Sequence, residues 1–182
     1  GDLAVVDGRG FAGFALAPPR KPIVAAVEGY AFGGGFELAL ACDLIVASRD
    51  AQFALPEVRR GLLAAGGGLI RLPNRIPYHV AMELSLTGAP IDGARAAALG
   101  LVNRLAEPGG ALDAALALAG EVAANGPQAV QATKEVLASA AQLPELTAWQ
   151  RQEPINDRVA ASEEAAEGAR AFVEKREPAW RA

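Results

Sequence analysis

Three consecutive glycines between two short apolar runs constrain the fold of this chain more than any other feature. The runs are Ile23 to Val27 and Leu44 to Ala47, and Gly33 to Gly35 lie between them, just before a helix-forming stretch that carries Glu37. Short apolar runs flanked by turn residues are typical of buried strands. The segment therefore predicts a strand-helix-strand unit with a glycine turn at the start of its helix.

This glycine turn is a candidate functional site. Glycine lets a ligand approach the backbone closely, and the first N–H groups of a helix have no partner within the helix. Such a turn stabilises a phosphate or a developing oxyanion. Glu37 lies in the first helical turn and Glu57 follows twenty residues later, after Pro56. Two carboxylates there suit proton transfer beside a thioester carbonyl. The alternative is structural, because the helix dipole alone favours a first-turn Glu.

The full stretch reads KPIVAAVEGYAFGGGFELALACD and continues to FALPEVRRG. It resembles the signature of the crotonase (enoyl-CoA hydratase/isomerase) superfamily, and TGAPIDGARAAALGLVN and EGARAFVEKREPAW resemble two later family motifs. The resemblance implies an α/β fold with a ββα spiral core in residues 1–107 and a C-terminal helical trimerisation region in residues 108–182. It also implies that the family strands preceding Gly1 lie outside this sequence.

The resemblance implies roles for four residues of the predicted site. The backbone N–H groups of Gly34 and Gly1 would form an oxyanion hole for the thioester oxygen, Gly1 standing before Asp2 and Leu3 as in the family's A-G-[AG]-D-L/I segment. Glu37 would help to activate a water molecule as a base. Glu57 would deliver or remove the proton at the α-carbon.

The resemblance also implies further contacts with substrate. A second glycine turn, Gly66 to Gly68, precedes Arg71 and Leu72 and is similar to the family's G-G-x-x-R-L region. Ala65 and Gly66 would line the pocket around the acyl chain. Lys175 would reach the CoA phosphates of a neighbouring subunit, although a solvated helix end is an equally good interpretation. The implied assembly is a homotrimer or a dimer of trimers, and no cofactor is expected beyond the CoA of an acyl-CoA thioester substrate.

Composition excludes several other functions. The chain has 182 residues with a net charge of -4, and its scattered basic residues argue against a nucleic-acid surface. Cys42 is the only cysteine, which excludes an intramolecular disulfide and indicates a reducing compartment. His79 is the only histidine and is a poor candidate for a metal ligand. No apolar run is long enough to span a membrane, so we expect a soluble cytoplasmic protein without a metal.

One motif near the start is misleading. Gly8, Gly10 and Gly13 form the pattern G-x-G-x-x-G of dinucleotide-binding folds. That pattern requires a helix directly after it, whereas Pro18 and Pro19 follow within a few residues. We therefore predict no dinucleotide site here.

The rest of the chain predicts mainly helices. One helix is expected to end at Gly88, and an amphipathic segment from Pro144 is expected to break near Pro154. Other local signals are Asp92 and Ser162 as helix N-caps, Pro127 in a first helical turn, and Leu101 to Leu105 as a short strand or extended segment.

These features predict an enoyl-CoA hydratase, but other functions remain open. Phe36 and the sequences FALPE and REPAW also resemble the corresponding parts of carnitinyl-CoA dehydratases. Arg59 or Arg60 could bind an acidic acyl group, although two arginines on a helix face are usually solvated. A double-bond isomerase is a further alternative, although it would need only one of the two acids. A protein of a different class would bind acyl-CoA without catalysis.

Overall fold

The computed structural model describes residues 5–141 and 143–180. Packing divides the chain into two compact units. The first contains Ile23–Leu118 together with the described residues up to Pro19, and the second contains Arg20–Pro22 together with the described residues from Ala119 onward. The predicted domain boundary after residue 107 stays a prediction, and Gly1 lies outside the described residues.

Eight strands and eight α-helices are present in the described residues. The strands are β1 Val5–Val6, β2 Gly10–Phe11, β3 Val24–Val27, β4 Tyr30–Phe32, β5 Leu44–Ser48, β6 Gln52–Ala54, β7 Ile91–Asp92 and β8 Arg104–Ala106. The helices are α1 Gly34–Ala41, α2 Gly68–Arg71, α3 Tyr78–Thr87, α4 Gly93–Ala98, α5 Ala111–Ala123, α6 Pro127–Ala140, α7 Glu145–Ala160 and α8 Glu163–Glu174. Two short 3₁₀ turns cover Pro56–Arg60 and Leu72–Asn74.

Strands β3 to β8 of the first unit are divided between two three-stranded sheets. One sheet has the parallel order β3-β5-β8, and the other has the order β4-β6-β7, in which β4 and β6 are parallel and β7 is antiparallel. Consecutive strands β3 and β4 therefore join different sheets, α1 follows, and β5 and β6 repeat the pattern. This repeat is the predicted ββα spiral, and the mixed α/β fold class is confirmed.

An aspartate and an asparagine side chain tie together the starts of neighbouring strands in the first sheet. The Asp43 carboxylate accepts the N–H of Ile23 at 2.7 Å, and the Asn103 side-chain oxygen accepts the N–H of Ile45 at 2.8 Å. The core beneath is rich in alanine and leucine, and its two largest buried side chains, Phe36 and Phe53, have ring centroids 5.3 Å apart. Burial of these rings holds α1 against β6.

Several local predictions are confirmed. Helix α3 ends at Gly88, which has a φ of 62°. The Asp92 carboxylate accepts the N–H of Arg95, and the Ser162 hydroxyl accepts the N–H of Ala165, so both residues are N-caps. Pro127 is the first residue of α6. Each of these signals depends on sequence neighbours alone, which is why it could be found without a structure.

Of two further predictions, the one about the G-x-G-x-x-G pattern is confirmed and the one about Pro154 is wrong. No helix follows the G-x-G-x-x-G pattern, which lies in the antiparallel β1-β2 ribbon and the turn after it, as predicted. The predicted break near Pro154 is wrong, because α7 continues through that residue. Proline removes one backbone hydrogen bond from a helix interior. Burial of the adjacent Ile155, which is 6% exposed, offsets that loss.

The second unit is helical, and acidic side chains fix its turns. The Glu164 carboxylate accepts the N–H groups of Gln128 and Ala129, both at 2.9 Å, at the start of α6. Glu167 accepts from the Arg176 guanidinium at 2.6 Å, and this hydrogen bond lowers the pKa of Glu167 to about 2. None of the helices in residues 5–141 and 143–180 has the length and apolar character needed to cross a membrane.

Candidate active site

The first glycine turn is anchored to the neighbouring strand and opens α1. The Gly33 N–H donates to the carbonyl of Ala54, the last residue of β6, at 2.9 Å. Gly33 is the N-cap of α1 with a φ of 54°, a left-handed conformation that favours glycine. Its carbonyl accepts the N–H of Glu37 at 3.0 Å. The N–H groups of Gly34 and the residue after it therefore begin the helix, where no intrahelical acceptor exists for them.

Glu37 is a buried carboxylate in the first turn of α1. Its side chain is 5% exposed, and its Oε1 atom accepts the N–H of Gly68 at 2.9 Å. A Cβ atom added to Gly66 would lie 2.6 Å from Glu37 Oε2, so the second glycine turn packs directly on this carboxylate. The absence of side chains at Gly66 and Gly68 is what lets the turn approach so closely.

Glu57 lies against the N-terminus of the same helix. It belongs to the 3₁₀ turn that follows β6 after Leu55, and a Cβ atom added to Gly33 would lie 2.9 Å from Glu57 Oε1. Its Oε2 atom is buried and has no hydrogen-bond partner in the described part of the chain. A buried carboxylate oxygen without a partner is costly, which makes this atom a candidate for contact with a ligand. The structure thus brings both predicted acids to the start of α1.

The second glycine turn is held by an arginine that sequence reasoning matched only as part of a family motif. Gly67 has a φ of 105°, and α2 begins at Gly68. The half-buried Arg71 guanidinium donates to the Gly66 carbonyl at 3.4 Å and to the Ala15 carbonyl. Burial lowers the pKa of Arg71 below its ordinary value, and the charge of Arg75 lowers it further, whereas the charge of Glu37 acts in the opposite direction.

An aromatic ring near Gly34 was missed entirely. A Cβ atom added to Gly34 would lie 2.7 Å from Phe11 Cε1, so the ring of Phe11 lies against this glycine. Phe11 follows Gly10 in the segment that the sequence only excluded as a dinucleotide motif. A phenylalanine among glycines was the only available signal for it.

Other predicted residues are placed as follows. Ala65 is exposed beside Gly66, at the start of the second glycine turn. Lys175 is the exposed C-cap of α8, with a φ of 53°, and belongs to the second unit. Their contacts with substrate stay predictions, and so does the role of Gly1.

Three further residues that the sequence singled out have structural positions. The Arg59 guanidinium donates to the Thr87 carbonyl at 2.8 Å and so contacts the end of α3. Cys42 is buried at the end of α1, and His79 is exposed in the first turn of α3. Within the described ranges, no group of three or more His, Cys, Asp or Glu side chains is placed to hold a metal ion.

The fold and sequence can be compared with those of known proteins. The alternation of strands between two sheets, with a helix after each pair, is that of the crotonase fold class. An enoyl-CoA hydratase from Mycobacterium tuberculosis H37Rv superposes with a TM-score of 0.96 at 57% identity, covering 100% of this chain and 71% of that protein. One from Mycobacterium marinum gives a TM-score of 0.94 at 58% identity, covering 97% and 70%.

Sequence comparison agrees with the structural comparison. The profile described as enoyl-CoA hydratase/isomerase matches residues 15–182. The carnitinyl-CoA dehydratase of Proteus mirabilis (strain HI4320) is 41% identical over 177 residues, which cover 94% of this chain and 68% of the relative. The chain belongs to the enoyl-CoA hydratase/isomerase family, an enzyme family whose members named above are hydratases and dehydratases, which are lyases.

Proposed function

We propose that this protein is an enoyl-CoA hydratase that adds water to a 2-enoyl-CoA thioester. The observation that carries the proposal is the position of two carboxylates, Glu37 and Glu57, at the N-terminus of one glycine-started helix. The buried Oε2 atom of Glu57, which lacks a partner among the described residues, supports contact with a reacting group. Family membership supplies the substrate class.

The proposed reaction is a syn addition through an enolate. The N–H groups of Gly34 and Gly1 hold the thioester oxygen and stabilise the negative charge that develops there. Glu37 accepts a proton from water as the water oxygen bonds to the β-carbon. Glu57 gives a proton to the α-carbon and regains one when the proton taken from water passes from Glu37 to Glu57, so that one water molecule is added overall and both acids are restored. The hydrogen bond from Gly68 supports the role of Glu37, because it fixes one carboxylate oxygen.

The remaining substrate contacts and the assembly belong to the same proposal. Ala65 and Gly66 line the acyl pocket, which is supported by the contact between Gly66 and Glu37. Lys175 binds CoA phosphates in a homotrimer or a dimer of trimers located in the cytoplasm. Exposed apolar side chains beside it, Phe172 at 85% and Val173 at 79%, support burial of this helix end in an assembly. The reaction needs no cofactor beyond the CoA of its substrate.

A carnitinyl-CoA dehydratase is the second candidate, because the Proteus mirabilis relative carries that name at 41% identity. An isomerase needs only one acid to move a proton, so the presence of both Glu37 and Glu57 favours a hydratase. A non-catalytic acyl-CoA-binding subunit would have no use for two acids at the same helix start.

One substrate panel separates these candidates. The full protein is incubated with crotonyl-CoA, longer 2-enoyl-CoA thioesters, a 3-enoyl-CoA and crotonobetainyl-CoA, and loss of the conjugated enoyl absorbance and the products are measured. A hydratase consumes 2-enoyl thioesters, a carnitinyl-CoA dehydratase prefers crotonobetainyl-CoA, and an isomerase converts the 3-enoyl substrate. Binding of acyl-CoA without turnover of any substrate would contradict the proposal and leave the non-catalytic subunit.

Matched variants test the assignment of the two acids. Glu57→Gln and Glu37→Gln are compared with Glu83→Gln, which removes an exposed carboxylate from α3. Hydration should fall strongly in the first two variants and stay unchanged in the third. Loss of activity in Glu57→Gln alone, with most activity kept in Glu37→Gln, would support the isomerase instead.

A further inference from the structure

Arg71 occupies space that a side chain at Gly67 would otherwise fill. A Cβ atom added to Gly67 would overlap Arg71 Nη1, so the guanidinium lies directly against the backbone of the second glycine turn. Nη1 donates to the Gly66 carbonyl at 3.4 Å. Nη2 donates to the carbonyl of Ala15, a residue that is 2% exposed. One side chain therefore joins the turn to a buried residue 56 positions away in sequence.

Placing the Arg71 guanidinium against the second glycine turn costs desolvation free energy. Removing a charged group from water is unfavourable unless hydrogen bonds and nearby charges compensate. The two carbonyl groups compensate in part, and so does the charge of Glu37, whereas the charge of Arg75 opposes it. Simple bracing of a surface turn does not require a half-buried cation, because an apolar side chain could fill the same space.

The turn that Arg71 holds also determines the position of Glu37. The Gly68 N–H, at the first residue of α2, donates to Glu37 Oε1 at 2.9 Å. A Cβ atom on Gly68 would lie 3.1 Å from both Glu37 Oε1 and Leu55 Cδ1, so the turn has little freedom to shift without moving the carboxylate. Arg71 thus reaches Glu37 through the turn.

We propose that Arg71 is a positioning residue for the reaction, whose guanidinium locks the second glycine turn so that the Gly68 N–H holds the Glu37 carboxylate in its productive orientation. This inference rests on the proposed hydratase function. Arg71 acts through the turn and does not touch the substrate. A small displacement of a catalytic group costs about a hundredfold in rate, so loss of this lock should be visible mainly in kcat.

The kinetic experiment compares Arg71→Met with Arg75→Met in the full protein. Both variants remove one positive charge, but only the first removes the hydrogen bonds to the Gly66 and Ala15 carbonyls. Arg71→Met should lower kcat for 2-enoyl-CoA hydration by about tenfold to a hundredfold while KM changes by less than about threefold. Arg71→Lys should recover only part of the rate, because an ammonium group cannot reproduce the planar pair of hydrogen bonds to the Gly66 and Ala15 carbonyls. Arg75→Met should keep wild-type kcat.

A second measurement does not depend on activity. Hydrogen exchange of the Gly68 amide should become about tenfold faster or more in Arg71→Met, while amides of α3 keep their protection. Wild-type kcat together with wild-type Gly68 exchange would overturn the inference. Equal loss of protection in α3 would also overturn it, because Arg71 would then support the whole unit. If the wild-type protein hydrates no thioester, the proposed function fails, and Gly68 exchange alone decides the role of Arg71.

Discussion

The two glycine turns have nearly the same composition but use their backbone groups differently. Gly33 to Gly35 open the eight-residue helix α1, whose first N–H groups have no intrahelical acceptor. Gly66 to Gly68 open the four-residue helix α2, and there the Gly68 N–H is already used by Glu37. The first turn thus has N–H groups with no intrahelical acceptor, which suit it to bind a ligand, whereas the second holds the Glu37 carboxylate.

The difference arises from what packs against each turn. Glu57 and the aromatic ring of Phe11 lie against the first turn, whereas the Glu37 carboxylate and the Arg71 guanidinium lie against the second. Consecutive glycines in a sequence therefore identify a close backbone approach, and the neighbouring side chain decides its use. Four substitutions test this comparison.

The largest effect is expected for Glu37→Gln, which changes the side chain that connects the two turns. An amide oxygen can still accept the Gly68 N–H, but an amide cannot take a proton from water. Hydration of crotonyl-CoA should fall by about a hundredfold to ten-thousandfold with little change in the free energy of unfolding. Steady-state kinetics and urea unfolding measure the two quantities. A strongly destabilised variant with wild-type turnover would show that Glu37 is structural.

A smaller loss of activity is expected for Gly34→Ala in the first turn. The new methyl group would lie 2.7 Å from Phe11 Cε1, so either the ring or the start of α1 must move. Displacement of the proposed oxyanion donor should lower kcat by about a hundredfold. The double variant Phe11→Ala with Gly34→Ala should recover part of that loss, because it removes the clash. If the activation free-energy costs of the two single variants simply added in the double variant, the ring would not position this glycine.

The sequence predicted those parts of the fold that depend on neighbouring residues. Strands β3 and β5 were visible as apolar runs, and the caps at Asp92 and Ser162 were visible as local hydrogen-bonding signals. Strand β4 was missed, since Tyr30 is 78% exposed and the strand is defined by its pairing with β6. Pro154 was given too much weight, because burial of its neighbour could not be foreseen.

The sequence predicted which residues form the candidate site, but not the contacts between them. Glu37 and Glu57 were found because the chemistry of a carboxylate beside a glycine turn can be read from the sequence. The bond from Gly68 to Glu37 spans 31 residues, and that from Arg71 to Ala15 spans 56 residues. Contacts over such separations depend on how the sheets pack, and no local pattern reveals them.

A stability effect is expected for Gly67→Ala in the second turn. Its φ of 105° is unfavourable for alanine, and the added methyl group would overlap the Arg71 guanidinium. The free energy of unfolding should fall by about 1–3 kcal/mol, measured by urea unfolding. Combining it with Arg71→Met removes the overlap but not the backbone strain, so the double variant should show a cost smaller than the sum of the two single costs. If the two single costs in unfolding free energy simply added in the double variant, the Arg71 guanidinium would move away from the added methyl group without cost.

The smallest effect, with the opposite sign, is expected for Gly35→Ala in the first turn. A Cβ atom added to this helical glycine meets nothing within 4 Å, and its φ is not in the left-handed region. Alanine restricts the unfolded chain and favours a helix, so the free energy of unfolding should rise by about 0.5 kcal/mol. The same urea unfolding experiment compares it directly with Gly67→Ala. If Gly35→Ala raised KM for the enoyl thioester without destabilising the fold, the open space beside this glycine would belong to the substrate, and the first turn would contact its ligand through more than the N–H of Gly34.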